Sequence, residues 1–389
     1  MSNMRNKLSP REHAICAIVE TIEKGVLQPG TQLPSENNLA THLKISRGTV
    51  RTALAELIKR GVLEKRGRRL YVCGSEAIPA ESCLLPQSLL FLGTSMAEPE
   101  YLNRHTGSMD AVQGGAIAEA VKQGVPFFSL NVGRIPSADI GQIGRLRVSG
   151  ALLFDLLPVS RLEKAAEILR LNGVPLLAFS AFTLLPGIAY VLSDHRTGMT
   201  MLTRELLLRG YRKILFYSPA SVSCYWQLEQ YAGYQQAMKE AGVAEYPRPE
   251  RCYSMPLDIR TITPDRAAFE NNVRQAAGYL LDYFAPGADS PEVIVAETDW
   301  TAQVIAAALR LLRKIPGKDV QITGYDNKCD HSPWNEFEDF RPLLTADRQN
   351  DQIGRMMTEE LQRAVSAGVP PESKLLKPVL LDERGKKLS

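Results

Sequence analysis

Two kinds of hydrophobic spacing divide the chain. In residues 33–57, apolar side chains recur at the three- and four-residue spacing of amphipathic helices, first around Leu39 and then from Val50 to Leu57. From residue 87 onward, short apolar runs of strand length alternate with longer helical patterns. The chain therefore combines a small, mainly helical unit with a much larger α/β unit.

A tight turn separates the two helical patterns of the small unit. Lys44 and Ile45 lead to Ser46, whose hydroxyl is a good N-cap for the second helix. The outward positions of that helix combine short hydroxyls, a glycine and two guanidiniums, in Ser46, Arg47, Gly48, Thr49 and Arg51. A helix N-terminus with hydroxyls holds phosphate, and arginine reaches guanine edges, so the pattern predicts a helix that enters the major groove of DNA.

A basic hairpin follows the second helix. One strand begins at Val62 and the return strand ends at Val72. The turn between them is rich in cations and consists of Arg66, Gly67, Arg68 and Arg69. A helix-turn-helix followed by such a hairpin is a winged helix, and the cations of the wing are expected to contact the DNA backbone or minor groove.

Residues 8–72 resemble the DNA-binding domain of the GntR family of bacterial transcription regulators. The stretch GVLQPGTQLPSENNLATHLKISRGTVRTALAELIKRGVLEKRG carries the resemblance. It implies that double-stranded operator DNA is the partner and that Ser35 and Asn37 join the contacts of the second helix. Asn37 stands where the family usually has a basic residue, so the resemblance also implies an altered operator preference.

Charge is concentrated in this small unit. Residues 1–74 hold 13 Lys and Arg against 6 Asp and Glu, a balance of +7, whereas the whole chain has a net charge of +3. Positive charge confined to one segment is the electrostatic signature of a nucleic-acid partner. The remainder of the chain is weakly acidic, which argues against nucleic acid wrapping the whole surface.

Composition is ordinary for a soluble globular protein, with 44% hydrophobic and 23% charged residues. The first residues lack an apolar core of signal-peptide length, and no run of 18 apolar residues predicts a membrane span. We therefore expect a cytoplasmic protein with no membrane partner. The six cysteines and five histidines show no metal-ligand spacing, so neither a metal nor a cofactor is predicted.

The sequence predicts an α/β fold with an N-terminal winged helix-turn-helix domain in residues 1–74. Residues 75–86 are predicted to be a linker, because they contain prolines and no hydrophobic period. In residues 87–389, strands alternate with helices, which indicates parallel sheets in two lobes. The first lobe is expected at about 87–192 and 344–369, and the second at about 193–341 and 370–389.

Residues 87–389 resemble the LacI/GalR repressors. The segments SDHRTGMTMLTRELLLRGYRKILFYSP, LEQYAGYQQAMKEAG and VIVAETDWTAQVIAAALRLLRKIPGKDVQITGYDN match motifs of that family in order and spacing. The resemblance implies a two-lobed domain with a periplasmic-binding-protein-like fold, a homodimer and a small effector between the lobes. A GntR-type head on a LacI-type body resembles the arabinose-responsive repressors of some bacteria.

Ligands of open α/β sheets bind at the carboxyl ends of the strands. Polar and aromatic residues that follow predicted strands, or that lie in a predicted helix start or lobe crossover, are the effector-binding candidates: Ser95, Trp226, Gln230, Thr298, Asp299, Trp300, Asp326 and Arg348. Carboxylates, amides and an aromatic face suit a sugar ring. LacI-type proteins usually have an arginine where this chain has Gln230, so we expect a neutral sugar.

Catalytic motifs are absent from the sequence. It contains no nucleophile elbow, phosphate-binding loop, zinc-protease motif or dinucleotide fingerprint. We therefore expect a transcription regulator, a repressor, and no enzyme. Two other interpretations remain open: a regulator whose C-terminal domain only dimerises, and a sugar-binding protein without control of DNA.

Overall fold

The structure is a computed structural model. The parts of the chain that it describes are 30–59, 62–72, 88–93, 108–154, 161–180, 187–217, 225–246 and 265–388, apart from single positions 68, 138 and 333, together with isolated positions between 11 and 27 and position 184. The predicted linker at 75–86 and the candidate Ser95 lie outside the described residues.

The N-terminal domain has the predicted winged-helix elements. Helix α1 spans Glu36–Leu43, and helix α2 spans Arg47–Lys59. The turn between them is tight because Lys44 takes a left-handed conformation with φ of 54°. Strands β1 (Leu63–Arg66) and β2 (Arg69–Val72) pair antiparallel and form the wing.

The core of this domain is built from the residues that the helical period selects. They are fully or almost fully buried, and include Val50, Ala53, Leu54 and Leu57 of α2. Described helical residues near the chain start, among them Ala14 and Ile18, pack against them. The apolar face of α2 is therefore used up inside the domain, which leaves its polar face at the surface.

The first lobe of the C-terminal domain contains a six-stranded sheet with strands β3 (Leu89–Gly93), β4 (Phe127–Asn131), β5 (Gly150–Phe154), β6 (Leu176–Phe179), β7 (Ala189–Ser193) and β12 (Lys374–Leu376). Their order in the sheet is β12-β7-β6-β5-β3-β4, and all paired strands run parallel. Its helices are α3 (Ser108–Lys122), α4 (Arg161–Leu171) and α9 (Asn350–Ala367). A close approach joins α3 to α9, because a side chain at Gly115 or Gly354 would collide with the backbone of the facing helix.

The second lobe contains a parallel three-stranded sheet with strands β8 (Ile214–Tyr217), β9 (Val293–Ala296) and β10 (Gln321–Thr323). Their order in the sheet is β10-β9-β8. An antiparallel pair, β11 (Leu344–Asp347) with β13 (Val379–Asp382), lies beside them. The helices of this lobe are α5 (His195–Leu208), α6 (Tyr225–Glu240), α7 (Arg266–Leu280) and α8 (Asp299–Leu311).

The lobe boundaries near the end of the chain differ from those expected. The sequence places strand β11 in the first lobe, but backbone hydrogen bonds join it to the strand β10 region: the Leu343 amide donates to the Ile322 carbonyl, and the Gly324 amide donates to the Leu344 carbonyl. Leu344 is also buried in the core of the second lobe. Strand β12 was assigned to the second lobe, but it pairs with β7 of the first. Short strands have no period that distinguishes one sheet from another, so only the pairing decides where they belong.

The chain therefore passes between the lobes at 194, at 348–349 and at 377–378. These crossings bring the carboxyl ends of β7, β10 and β11 to one region, which we call the interlobe cleft. Among the described residues, no helix is long and apolar enough to span a membrane.

Candidate DNA-binding surface and interlobe cleft

Serine hydroxyls set the starts of both helices of the helix-turn-helix motif. The Ser35 hydroxyl accepts a hydrogen bond from the Asn38 amide at 3.2 Å, and the Ser46 hydroxyl accepts one from the Thr49 amide at 3.1 Å. The Ser46 and Thr49 hydroxyls are also 2.8 Å apart. These bonds satisfy amides that a helix start leaves open, so Ser35 and Ser46 hold the helices at defined first residues.

The polar face of α2 is open to solvent. Ser46, Arg47, Gly48 and Arg51 are exposed, and Thr49 is half-buried. Asn37 on α1 is also exposed. All of the predicted contacts of the two helices therefore lie at the surface of the domain, on α2 itself or at the start of α1 beside it.

Glu36 connects the two arginines of this face. Its carboxylate accepts bonds from Arg51 Nε at 3.2 Å and Arg51 Nη2 at 2.9 Å, and another from Arg47 Nε at 3.1 Å. The bonds from Arg51 and Arg47 lower the pKa of Glu36 to about 2. Its carboxylate is therefore ionised at any ordinary pH.

The wing presents cations at its turn. Gly67 has φ of 64°, the left-handed conformation that a tight turn requires and that favours glycine. Arg66 is exposed, lies 2.6 Å from the Glu64 carboxylate and stacks its guanidinium over the ring of Tyr71 at 5.3 Å. Arg68, the remaining predicted wing contact, lies outside the described residues.

Asp326 and Arg348 meet in the interlobe cleft. Arg348 Nε lies 3.0 Å from Asp326 Oδ1, and the two side chains are only 10% and 13% exposed. Asp326 has φ of 97° and Asn327 has φ of 53°, both in the left-handed region that side chains disfavour. Backbone strain of this kind collects at ligand-binding and switch regions, because the surrounding structure must enforce it.

Electrostatics of the cleft follow from burial. Burial raises the pKa of Asp326, against the effect of Arg348 and Lys328, which favour its charged form. Burial and, after it, the nearby Arg348 lower the pKa of Lys328 to about 8. Burial and Arg348 also hold the pKa of His195 well below its usual range. His195 is therefore neutral at physiological pH, so the cleft carries the Asp326–Arg348 ion pair, the Lys328 ammonium and a neutral imidazole.

Helix α6 and the end of β9 supply a second polar group in the second lobe. Gln227 Nε2 donates to Glu297 Oε2 at 3.0 Å, and Gln230 Nε2 donates to the Glu297 carbonyl at 3.2 Å. All three residues are buried. Gln230 Oε1 and His195 Nδ1 have no hydrogen-bond partner among the described residues. Buried atoms of this kind are normally bonded, so each is a place where a ligand hydroxyl would gain a bond.

Aromatic rings surround His195 in the same region. The His195 ring lies 5.7 Å from that of Tyr325 and 6.5 Å from those of Tyr225 and Trp226, centroid to centroid. Trp226 is half-buried. An indole beside buried amides offers the flat apolar face that a sugar ring stacks on.

Asp299 has a different role from the effector contact that the sequence suggests. It is fully buried, and its carboxylate accepts bonds from the Lys328 amide at 2.5 Å and the Thr345 hydroxyl at 2.7 Å. A Cβ at Gly324 would collide with it. Asp299 therefore holds the loop after β10 against β11, since both oxygens are already used inside the second lobe.

Thr298 and Trp300 flank this residue. The Thr298 hydroxyl caps α8 by accepting a bond from the Thr301 amide at 3.1 Å. Trp300 is half-buried and packs against the core between α7 and α8. The N-capping role of Thr298 places it at the helix start, and effector contact by either residue stays a prediction.

Four residues of the cleft region were not predicted as site residues, namely His195, Gln227, Glu297 and Lys328. Glu297 directly follows β9 and His195 comes two residues after β7, so the rule of strand ends would have found them. Lys328 comes two residues after Asp326 in the same loop, five residues after the end of β10. Gln227 gives no sequence signal, because only the tertiary structure brings this residue of α6 to Glu297. Among the described residues, no group of His, Cys, Asp and Glu has the arrangement of a metal site.

Comparison with known proteins supports both domains. Residues 10–72 match the gntR family of bacterial regulatory proteins, and residues 203–385 match the periplasmic binding protein-like domain. The mannosyl-D-glycerate transport/metabolism system repressor MngR of Escherichia coli (strain K12) is 45% identical over 56 residues, which are 14% of this chain and 23% of that protein. The chain thus matches less than a quarter of the length of this curated relative.

Solved structures resemble a larger part of the chain. A regulatory protein of the LacI family from Chloroflexus aggregans has a TM-score of 0.58 at 21% identity, over 77% of this chain and 99% of that one. A complex of the transcriptional regulator CelR with cellobiose has a TM-score of 0.56 at 18% identity, over 91% of this chain and 100% of that one. At these identities the likeness concerns the fold. The chain therefore joins an N-terminal DNA-binding domain of the gntR type to a C-terminal periplasmic binding protein-like domain.

Proposed function

We propose that this protein is a transcription regulator, a repressor whose affinity for operator DNA is controlled by a small neutral carbohydrate bound in the interlobe cleft. The observation that carries the proposal is the polar cluster where the strand ends of the two lobes meet: a buried ion pair on strained backbone, beside buried polar atoms that have no partner within the described part of the chain. The same chain carries a DNA-binding domain, so ligand binding and DNA binding are present in one molecule.

The DNA-binding role rests on the exposed face of α2 and on the wing. Arg47 and Arg51 reach base edges or phosphates when α2 enters a major groove, and Gly48 lets the backbone come close. Arg66 and the neighbouring cations of the wing contact the DNA backbone. Ser35, Asn37, Ser46 and Thr49 complete the proposed surface.

The choice of a neutral carbohydrate rests on the chemistry of the cleft. The carboxylates of Asp326 and Asp347 lie near the cations Arg348 and Lys328 and offset their charge. Gln230 offers a neutral amide, whereas a charged side chain at this position would select a charged ligand. Asp326 Oδ atoms and Gln230 Oε1 accept hydroxyl protons, and Trp226 offers a face for stacking. CelR, which shares the fold, binds cellobiose.

Control of DNA binding follows from the crossings between the lobes. A ligand that contacts Asp326 in the second lobe and Arg348 at a crossing favours one lobe arrangement over another. The ligand changes DNA affinity only by its differential affinity for the two arrangements, and a decisive shift takes about 5.5 kcal/mol.

We further propose that the protein acts in the cytoplasm as a homodimer that presents two winged helices to a palindromic operator, and that it is not an enzyme. Two-fold symmetric heads match two half-sites about one helical turn apart. A C-terminal domain of this fold supplies the surface that holds the two copies together.

The test uses the full chain and a DNA library. Selection of bound sequences defines the operator, and operator affinity is then measured by fluorescence anisotropy with single sugars added, including cellobiose, ribose and arabinose. The proposal predicts a sequence-specific site and at least one neutral sugar that both raises the melting temperature and weakens operator binding. A sugar that raises the melting temperature without any effect on DNA affinity would contradict the regulatory part.

A further inference from the structure

Glu36 forms hydrogen bonds with the exposed polar face of α2, the proposed DNA-contacting surface. It bonds to both arginines of that face, and the contact with Arg51 is bidentate, from Nε and Nη2 to the two carboxylate oxygens. The arginines are 59% and 62% exposed and Glu36 is 30% exposed. Ion pairs this exposed contribute little to stability, so stability alone does not account for the arrangement.

The geometry of the guanidinium makes the arrangement useful. Arginine has five N–H donors in a fixed plane, and Glu36 takes the Nε proton and one proton of Nη2 of Arg51. The two protons of Nη1 and the second proton of Nη2 are then left for another acceptor. Those donors form the edge that reads the O6 and N7 atoms of guanine in a bidentate contact.

We propose that Glu36 is a positioning residue for sequence recognition, which holds Arg51 and Arg47 in the orientation that reads bases and thereby sets the discrimination between operator and other DNA. This inference rests on the proposed role of α2 as the recognition helix. Long arginine side chains lose much rotamer freedom when they bind, so a partner that orders them beforehand lowers that cost for the correct base. When α2 enters a major groove, the negative charge of Glu36 would also repel DNA phosphates, whatever the base sequence.

These two effects have opposite consequences for specific and non-specific binding. Without the charge of Glu36, the arginines turn freely to any phosphate, so binding to unrelated DNA stays equal or becomes tighter. Binding to the operator loses the preordered contacts. The ratio of the two affinities, rather than either affinity alone, therefore reports the positioning role.

The experiment measures affinity of the full chain for the selected operator and for the same duplex with one substituted base pair per half-site. Glu36→Gln removes the charge with almost no change in shape and is expected to lower the affinity ratio about tenfold, the order of magnitude of one lost bidentate base contact. Glu36→Asp, which keeps the charge, is expected to recover part of the ratio. Melting temperatures of the variants show that the domain remains folded.

Glu64 provides a matched control. It lies in the same domain, has similar exposure at 38% and pairs with Arg66 of the wing at 2.6 Å. Glu64→Gln removes the same charge and is expected to leave the affinity ratio unchanged. A ratio that falls equally in both variants would assign the effect to overall charge and overturn the positioning role.

A double-mutant comparison separates this inference from the proposed function. If Glu36 acts through the arginines, Glu36→Gln has no further effect on the ratio in a protein that already carries Arg47→Ala and Arg51→Ala. If the arginine variants themselves leave operator binding unchanged, α2 is not the recognition helix and the proposed function fails. If they weaken it while Glu36→Gln leaves the ratio of the otherwise unaltered protein unchanged, only the positioning role fails.

Discussion

The Arg348 guanidinium lies 3.0 Å from the Asp326 carboxylate in the interlobe cleft, and the two groups approach from different parts of the polypeptide. Asp326 follows β10 in the second lobe, and Arg348 lies where the chain leaves β11 for the first lobe. A ligand hydroxyl bonded to this pair would therefore contact a lobe and a crossing segment at once.

Replacement of Asp326 tests the cleft. Asp326→Ala is expected to weaken the sugar response by about ten- to a hundredfold in sugar concentration, because a charged acceptor contributes roughly 1.5–3 kcal/mol. Operator binding without sugar should persist, since the core of the lobe is built from buried residues such as Ile322. The measurement is operator anisotropy with sugar titrated in.

Asp330→Ala is the control for this change. Asp330 lies in the following segment, is 69% exposed and pairs with Arg341. Its loss should leave the sugar response unchanged. If Asp326→Ala responds at the same sugar concentration as the unaltered protein, Asp326 serves only the turn, and the proposed cleft is misplaced.

Replacement of the arginines tests the recognition helix. Arg47→Ala and Arg51→Ala should each weaken operator binding by about 1–3 kcal/mol if they read base edges. Sugar binding, followed by the melting temperature, should not change, because both residues lie in the N-terminal domain. Unaltered operator affinity in both variants would exclude α2 as the reading element.

The wing is expected to act mainly on the DNA backbone. Arg66→Ala should weaken binding to operator and unrelated DNA alike and reduce the slope of log affinity against log salt by about one unit. Arg274, which is 63% exposed on α7, provides a control substitution outside the DNA-binding domain. A change in base preference at constant salt slope would instead show that Arg66 reads bases.

Asp299 should make the stability of the protein depend on pH. Burial raises the pKa of Asp299 to about 7, above the pKa of an aspartate in the unfolded chain. Between these two values the folded protein binds a proton at Asp299 that the unfolded chain has released. The contribution of this proton to the free energy of unfolding is fully present below about pH 4 and is lost as the pH rises through 7. Asp299→Asn, which is neutral at every pH, should therefore gain stability relative to the unaltered protein between pH 5 and pH 8.

Urea unfolding of both proteins at the two pH values measures this difference. Asp351, which is exposed on α9, gives the control variant Asp351→Asn. A stability difference that is the same at pH 5 and pH 8 would show that Asp299 is charged throughout and that its bonds to the Lys328 amide and the Thr345 hydroxyl outweigh burial.

Local patterns were sufficient for most of the DNA-binding domain. The three- and four-residue apolar period identified the buried residues of α2, Ser46 marked the start of that helix, and Gly67 marked the turn of the wing. These features depend on interactions within a few residues, so they can be recognised without knowledge of the distant chain.

The interlobe cleft was only partly predictable. Arg348 was predicted from its place in a lobe crossover and Asp326 from its place after a strand, but their contact at 3.0 Å was not predicted. Asp299 was named for the same reason, yet packing turned its carboxylate inward to Lys328 and Thr345. Position after a strand identifies the region of a side chain, whereas its direction depends on the neighbours that fill the space around it.

The sequence by itself determined the winged helix, the α/β class of the larger domain and the segregation of positive charge, because each follows from residue order and composition. Tertiary structure alone decided which sheet β11 and β12 join, which carboxylates face the cleft and that Glu36 holds the arginines of α2. Those outcomes depend on contacts between residues far apart along the chain, and such contacts exist only once the strands have paired and the helices have packed.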